Sequence, residues 1–152
     1  MAYHILKNIS GMTRMTQAYF NERMAPFGLG AGQQFFMFRI ARYPGLSMAE
    51  LARMGFYDNC TATRAVKRLA DAGYVRLEPD KKDGRVKRLY ATEKAEELLS
   101  EIRKMRADWL EIITEGFTEE EKSQIGGLLS RIADNACAHL EKNYHPEEGE
   151  EG

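Results

Sequence analysis

The sequence predicts a mainly α-helical protein with one small β-hairpin. Three observations carry that prediction. Apolar stripes at helical spacing open and close the chain, two short helices joined by a tight turn lie between them, and two strand-like runs flanking a charged tip follow directly. A length of 152 residues suits one domain, or one domain wrapped by long helices.

Residues 4–25 read as the first helix, because Ile5, Ile9, Met12, Thr16 and Tyr19 or Phe20 recur at spacings of three and four. Pro26 and Gly28 stop the pattern. The glycines of the loop 27–32 invite comparison with a phosphate cradle, but no strand precedes them and no Gly-Lys-Ser/Thr follows. A second helix is expected over 33–42, and Tyr43-Pro44-Gly45 is a turn. Ser47 and Glu50 form a capping box, each able to satisfy the other's amide, which opens a short helix from Met48 to Met54 with Leu51 and Ala52 facing inward. Gly55 ends it.

Asp58 or Asn59 then caps a fourth helix from Cys60 to Ala72, whose stripe is Ala62, Ala65, Val66 and Leu69. Gly73 stands where a helix-terminating glycine belongs. Tyr74–Leu77 and Val86–Tyr90 are the strands of a hairpin with the polar tip 78–84. Thr92 is expected to start a fifth helix carrying Leu98, Ile102, Met105, Trp109 and Ile113 on one side. A second capping box, Thr118 with Glu121, opens a final helix through Ile125, Leu128, Leu129, Ile132, Ala136 and Leu140.

Composition narrows the functional classes. No apolar run approaches the roughly 18 residues of a membrane span, and Met1–Asn8 lacks the build of a signal peptide. Two cysteines, Cys60 and Cys137, are too few for a disulfide framework, so the expected setting is the cytoplasm, with no membrane partner. The net charge of −1 conceals an uneven distribution. Nine Lys/Arg against four Asp/Glu make the segment from Cys60 to Arg88 +5, which leaves −6 for the remainder. Nucleic-acid affinity follows local potential rather than the sum over the chain. On charge alone, a solvated surface of mixed sign explains the segment equally well.

Position resolves what charge leaves open. Two short helices and a charged hairpin in immediate succession make a winged helix-turn-helix. The second helix of such a pair enters the major groove by its N-terminal half, with long basic side chains around it for phosphates. Here Thr61, Thr63 and Arg64 lie near the start of the fourth helix and Lys67 and Arg68 one turn on, with Thr61, Arg64 and Arg68 on one face. A guanidinium at Arg64 suits the O6 and N7 of guanine. The hairpin adds Lys81, Lys82, Asp83, Arg85 and Lys87; Gly84 permits close approach, and Arg85 suits a narrow minor groove.

The stretch from Ser47 to Leu98 resembles the MarR (multiple antibiotic resistance regulator) family of transcription factors. The resemblance rests on Met48-Ala-Glu-Leu-Ala52, Thr61-Ala-Thr-Arg64, Val66-Lys-Arg-Leu69 and Ala72-Gly-Tyr-Val75, followed by Asp83-Gly-Arg85 and Leu89-Tyr-Ala-Thr-Glu-Lys94. It implies a triangular homodimer in which the first and last two helices interlock and each winged lobe takes half of a pseudo-palindromic operator in double-stranded DNA. It also implies repression of a nearby promoter, relieved by a small, often aromatic or phenolic, effector bound between lobe and dimer interface. Two departures are Val86, where many relatives carry a second basic residue, and Ala95 in place of a frequent glycine. No cysteine precedes Cys60, unlike the peroxide-sensing branch.

The expected organisation is a helical dimerisation region over 1–30 and 100–145, a winged helix-turn-helix lobe over 33–98, and a disordered acidic tail over 146–152. Phe35, Phe36 and Phe38 read first as core; the functional alternative is an effector pocket, which Met12 and Met105 would share. Cys60 is a small helix residue or, near a helix N-terminus, a redox-sensing thiol. Cys137, His139, Glu141 and His145 could be read as metal ligands, but the first two are two residues apart and share no helical face. No catalytic pairing is legible, and no cofactor is implied. A winged-helix protein-interaction module without DNA binding is the remaining alternative, against which the basic segment argues.

Overall fold

In the computed structural model, residues 2–140 are described. The expected acidic tail, with Glu141 and His145, lies outside them. Helix α1 spans Ala2–Met24 and runs into a single 3-10 turn, Ala25–Phe27, in which Pro26 occupies a first-turn position that needs no amide. Helix α2 spans Ala31–Arg42. It begins two residues earlier than the periodicity suggests, because two side chains satisfy its first amides. Gly30 N–H donates to Gln33 Oε1 (2.8 Å) and Ala31 N–H to Asn21 Oδ1 (2.7 Å).

Strand β1 (Leu46–Ser47) precedes α3 (Met48–Met54), and α4 follows over Asn59–Asp71. The Ser47–Glu50 box forms as expected: Glu50 N–H donates to Ser47 Oγ (3.2 Å) and Ser47 N–H to Glu50 Oε2 (2.7 Å). Strands β2 (Val75–Pro79) and β3 (Lys87–Ala91) form the wing, before α5 (Ala95–Ile113) and α6 (Glu119–His139). The sheet is three-stranded and antiparallel, in the order β1-β3-β2. Leu77 pairs with Leu89, Glu78 with Arg88, and Ser47 also with Arg88. Two residues are too few to show strand alternation, which is why β1 left no mark in the sequence pattern.

Helix α5 starts three residues later than Thr92. The Thr92 hydroxyl donates to Gly73 O (2.6 Å) and its amide to Tyr74 O (3.0 Å), so Thr92 ties the helix entrance to the corner between α4 and β2. Gly73 at that corner has φ +83°. The end of α3 falls at Gly55 as expected, but not through a left-handed glycine. The left-handed residue is the neighbouring Phe56, at φ 59°. Gly55 is there for space: a Cβ would lie 2.6 Å from both Phe35 Cε1 and the Tyr57 ring.

The core sits where α2 meets α3, α4, α5 and the wing. Phe36, Met37 and Ile40 of α2 are fully buried with Leu51, Leu69, Leu89, Leu98, Ile102 and Met105. The expected α4 stripe of Ala62, Ala65, Val66 and Leu69 is buried throughout. Helix α1 is joined to α5 by the Tyr19–Trp109 stack (4.7 Å between centroids), a Trp109 Nε1 hydrogen bond to Thr16 Oγ1 (3.0 Å), and ion pairs from Arg23 to Glu101 and Asp108. Beyond those contacts the terminal helices expose apolar side chains, including Leu6 at 69% and Leu128 at 55%.

Gly73 turns the fourth helix into the wing, and any other residue there must hold a left-handed backbone. Gly73→Ala should lower folding stability by about 1–2 kcal/mol, read as a lower urea midpoint at unchanged slope. An unchanged midpoint would mean that the corner relaxes into another conformation.

Candidate nucleic-acid interface

Helix α4 owes its start to Asp58. Asp58 Oδ1 accepts the Thr61 amide and Oδ2 the Thr61 hydroxyl, both at 2.8 Å, and these bonds hold the Asp58 carboxyl below its ordinary value. Of the two capping candidates, Asp58 takes the role and Asn59 becomes the first helical residue. Thr63 donates back to Asn59 O (2.7 Å). Both threonine hydroxyl protons are therefore spoken for within the helix, while Thr63 stays exposed.

The basic residues of α4 divide by what they touch. Lys67 pairs with Asp71 one turn on (2.7 Å), and Arg68 Nη2 donates to Gly28 O (3.0 Å), reaching the link between α1 and α2. Arg64 is exposed, and no described residue pairs with its guanidinium. On the wing, Lys81, Lys82 and Arg85 likewise project without a side-chain partner among the described residues, whereas Lys87 Nζ makes a long contact to Gly84 O (3.5 Å). Asp83 shapes the tip, since its Oδ1 accepts the Arg85 amide (3.0 Å). The free cations of the expected set are thus Arg64 on the helix and three at the wing tip.

Sequence reasoning missed the anchor of that wing. By charge Arg88 is only one cation among nine, yet its Nε donates to Asp80 Oδ1 (2.9 Å) and its Nη1 reaches Gly45 O (3.3 Å) and Glu50 Oε2 (3.5 Å). The Arg88 hydrogen bond, then the amides of Asp83 and Lys82, depress Asp80 below the usual aspartate value. Glu50 is depressed first by the Ser47 amide, with Arg88 contributing less. The hairpin register sets residue 88 opposite residue 78, two residues from Asp80, but because the expected tip began at 78 the sequence pattern carried no advance sign of that pairing.

A cavity of about 910 Å³ opens between α2 and α5, beside the end of α1. Phe20, Phe38 and Trp109 supply aromatic walls; Arg42, Arg103 and Arg106 supply positive charge. Arg106 lies 4.3 Å over the Phe38 ring and donates to Gln34 Oε1 (3.2 Å). Of the five residues expected around an effector, this cavity takes Phe38. Phe36 and Met105 are fully buried, Phe35 packs edge-on against Phe36 and tilted against Tyr57, and Met12 is exposed on α1. Helical spacing could not separate these, because adjacent positions on α2 face the core and the cavity in turn.

Cys60 is exposed in the first turn of α4, and Cys137 is buried in α6. Among the described residues no three His, Cys, Asp or Glu side chains are grouped to hold a metal, and no helix is long and apolar enough to cross a membrane.

A capped helix at the head of a three-stranded wing, with long helices before and after, defines the winged helix-turn-helix class of proteins. The MarR family profile matches residues 35–86. The chain is 33% identical over 131 residues to the helix-turn-helix-type transcriptional regulator YybA of Bacillus subtilis, covering 86% of this chain and 87% of the relative. A MarR transcriptional regulator from Methanosarcina mazei superposes with a TM-score of 0.81 at 32% identity, over 90% of this chain and 98% of its own. This chain belongs to the MarR family of transcriptional regulators, and is not an enzyme. A family member from Listeria monocytogenes, solved in complex with 26mer DNA, shares the fold at a TM-score of 0.82 and 23% identity, over 92% of this chain and 97% of its own.

The Asp58 cap carries a pH signature. Its carboxyl ionises more readily folded than unfolded, so the folded state binds fewer protons and the contribution is complete above the ordinary value of 3.8. It is lost as pH falls through the lower folded value. Asp58→Ala should therefore melt below the wild type at neutral pH, and the two melting temperatures should converge as pH drops under about 4. A gap that stays constant down to acid pH would show that the carboxylate charge contributes nothing.

Proposed function

We propose that the chain binds a pseudo-palindromic operator as a homodimer, represses a nearby promoter, and releases DNA when a small aromatic or phenolic molecule binds. The observation that carries the DNA reading is the Arg64 guanidinium near the start of α4, which together with the wing cations Lys81, Lys82 and Arg85 of the same lobe has no side-chain partner among the described residues. A groove-inserted helix needs a base-reading side chain there, and the wing needs phosphate or minor-groove contacts beside it. The DNA complex of the Listeria relative supports the assignment. Thr61, Thr63, Lys67 and Arg68 serve as nearby backbone contacts on this reading, and the latter two exchange an internal partner for a phosphate.

The exposed apolar side chains of α1 and α6 support the homodimer, since Leu6, Met15, Leu128, Leu129 and Ile132 would otherwise face water on the two terminal helices. Two lobes reading one operator face must stand about 34–36 Å apart, one helical turn. A ligand seated in the cavity between α2 and α5 acts by preferring another spacing, and its effect equals its differential affinity for the two spacings. Aromatic walls and arginine side chains suit an aromatic ligand bearing a phenol or carboxylate.

The interface is tested by titrating variants against a selected operator and its single-base variants at several salt concentrations. Arg85→Ala should weaken binding to all sequences alike and lower the salt slope by about one unit if it meets a phosphate. Arg64→Ala should cost about 1–3 kcal/mol on the preferred site and relax preference at one position per half-site. Saturation is expected at two chains per operator. Wild-type binding by Arg85→Ala would remove the wing contact, and a uniform loss for Arg64→Ala would reduce that residue to a phosphate anchor.

The effector reading has an internal reporter. Trp109 is the chain's one tryptophan and lines the cavity, so a bound aromatic acid or phenol should change its fluorescence over the same concentration range that weakens DNA binding. If salicylate-like and phenolic compounds at millimolar levels change neither, aromatic sensing is wrong.

A further inference from the structure

We infer that Arg88, although it belongs to the basic segment, is a positioning residue that aims the wing rather than a contact to DNA. The inference rests on the DNA-binding reading above and deepens it. Arg88 occupies the point where all three strands and the start of α3 meet, since it pairs across the sheet with both Ser47 and Glu78. Its guanidinium is turned toward the protein: Nε bonds Asp80, and Nη1 is shared by the Gly45 carbonyl and Glu50. Two carboxylates neutralise its charge, so a phosphate would have to compete with partners already in place.

Asp80 makes the contact matter for the tip. One carboxylate oxygen takes Arg88; the other accepts the amides of Lys82 (3.0 Å) and Asp83 (3.1 Å), the first turn of the loop that bears the free cations. Lys81, Lys82 and Arg85 are thereby referenced to α3 through one continuous chain: tip amides, Asp80, Arg88, Glu50, Ser47 amide. Without Arg88, the tip keeps only bonds internal to itself, from tip amides to the Asp80 and Asp83 carboxylates and from Asp80 N–H to Val86 O and Val86 N–H to Asp83 O, which close the loop but do not orient it against α3. Pre-orientation of this kind raises affinity by reducing the ordering that binding must otherwise impose.

A contact residue and a positioning residue separate on two readouts. Loss of a phosphate contact flattens the salt dependence, whereas loss of orientation lowers affinity without changing the number of ions released. Lysine can replace arginine as a point charge on a phosphate but cannot reproduce a fork that bridges Asp80, Gly45 and Glu50. The experiment titrates full-length wild type, Arg88→Lys, Arg88→Ala, Asp80→Asn and the Arg88→Ala/Asp80→Asn double variant against the selected operator at several salt concentrations. Arg64→Ala and Arg85→Ala run alongside, with melting temperatures for all.

Arg88→Lys, Arg88→Ala and Asp80→Asn should each bind about tenfold more weakly at unchanged salt slope, with the double variant no weaker than the worse single one. Amide exchange at Lys82 and Asp83 in the free Arg88→Lys protein should quicken. Wild-type binding by Arg88→Lys, together with a slope lowered in Arg88→Ala, would make Arg88 a phosphate contact and overturn the inference. Additive losses in the double variant, or unaltered binding by Arg88→Lys and Asp80→Asn, would overturn it as well. If Arg88→Ala does not fold, the other two single variants decide. Should Arg64→Ala and Arg85→Ala also bind like wild type, the DNA interface itself is misplaced.

Discussion

The lobe formed by α2 to α5 and the wing is built on the burial of one face of α2. Phe36, Met37 and Ile40 have no exposed surface, and they meet side chains from α3, α4, α5 and the wing. Truncating a buried phenylalanine of this kind costs about 3–5 kcal/mol, a large part of the roughly 5–15 kcal/mol that holds a small domain together. The same helix turns Phe38, Ala41 and Arg42 to the cavity and Phe35 to the turn before α4. Core, cavity and interface share one rigid element, so a displacement of α2 reaches all three.

The fold was largely legible because its signals are local. Both capping boxes, the buried α4 stripe and the left-handed Gly73 each follow from a few adjacent residues and appear where expected. What was not legible depended on partners distant in sequence. Asn21 lengthens α2 from ten residues away, and Thr92 delays α5 because Gly73 and Tyr74 accept its hydroxyl and amide. Strand β1 exists through pairing with β3, not through any pattern of its own.

The interface divides along the same line. Which residues are basic is plain in the sequence; which of them are free is a tertiary property. Lys67, Arg68 and Arg88 are engaged by Asp71, Gly28 O, and Asp80 with Glu50, while Arg64, Lys81, Lys82 and Arg85 have no such partner among the described residues. The aspartates that dilute the positive charge also shape it, since Asp58 caps the helix and Asp80 and Asp83 order the tip. Counting charges gives the sign of the field, and hydrogen bonds give its direction.

The turn between α3 and α4 bears on how far this lobe is modular. Helix-turn-helix turns often place a glycine at the bend; here the left-handed residue is Phe56, and Gly55 beside it is hemmed in by Phe35 and Tyr57. Tyr57 also rests on Phe36, so the turn is keyed to the outward and inward faces of α2 together. A different α4 brought in with its own turn would have to meet Phe35 and Phe36 in the same way. The unit that this packing holds together is therefore not α4 alone but the stretch from Phe35 through Asp71, so a change on the exposed face of α4 leaves the turn intact whereas exchange of the whole helix does not.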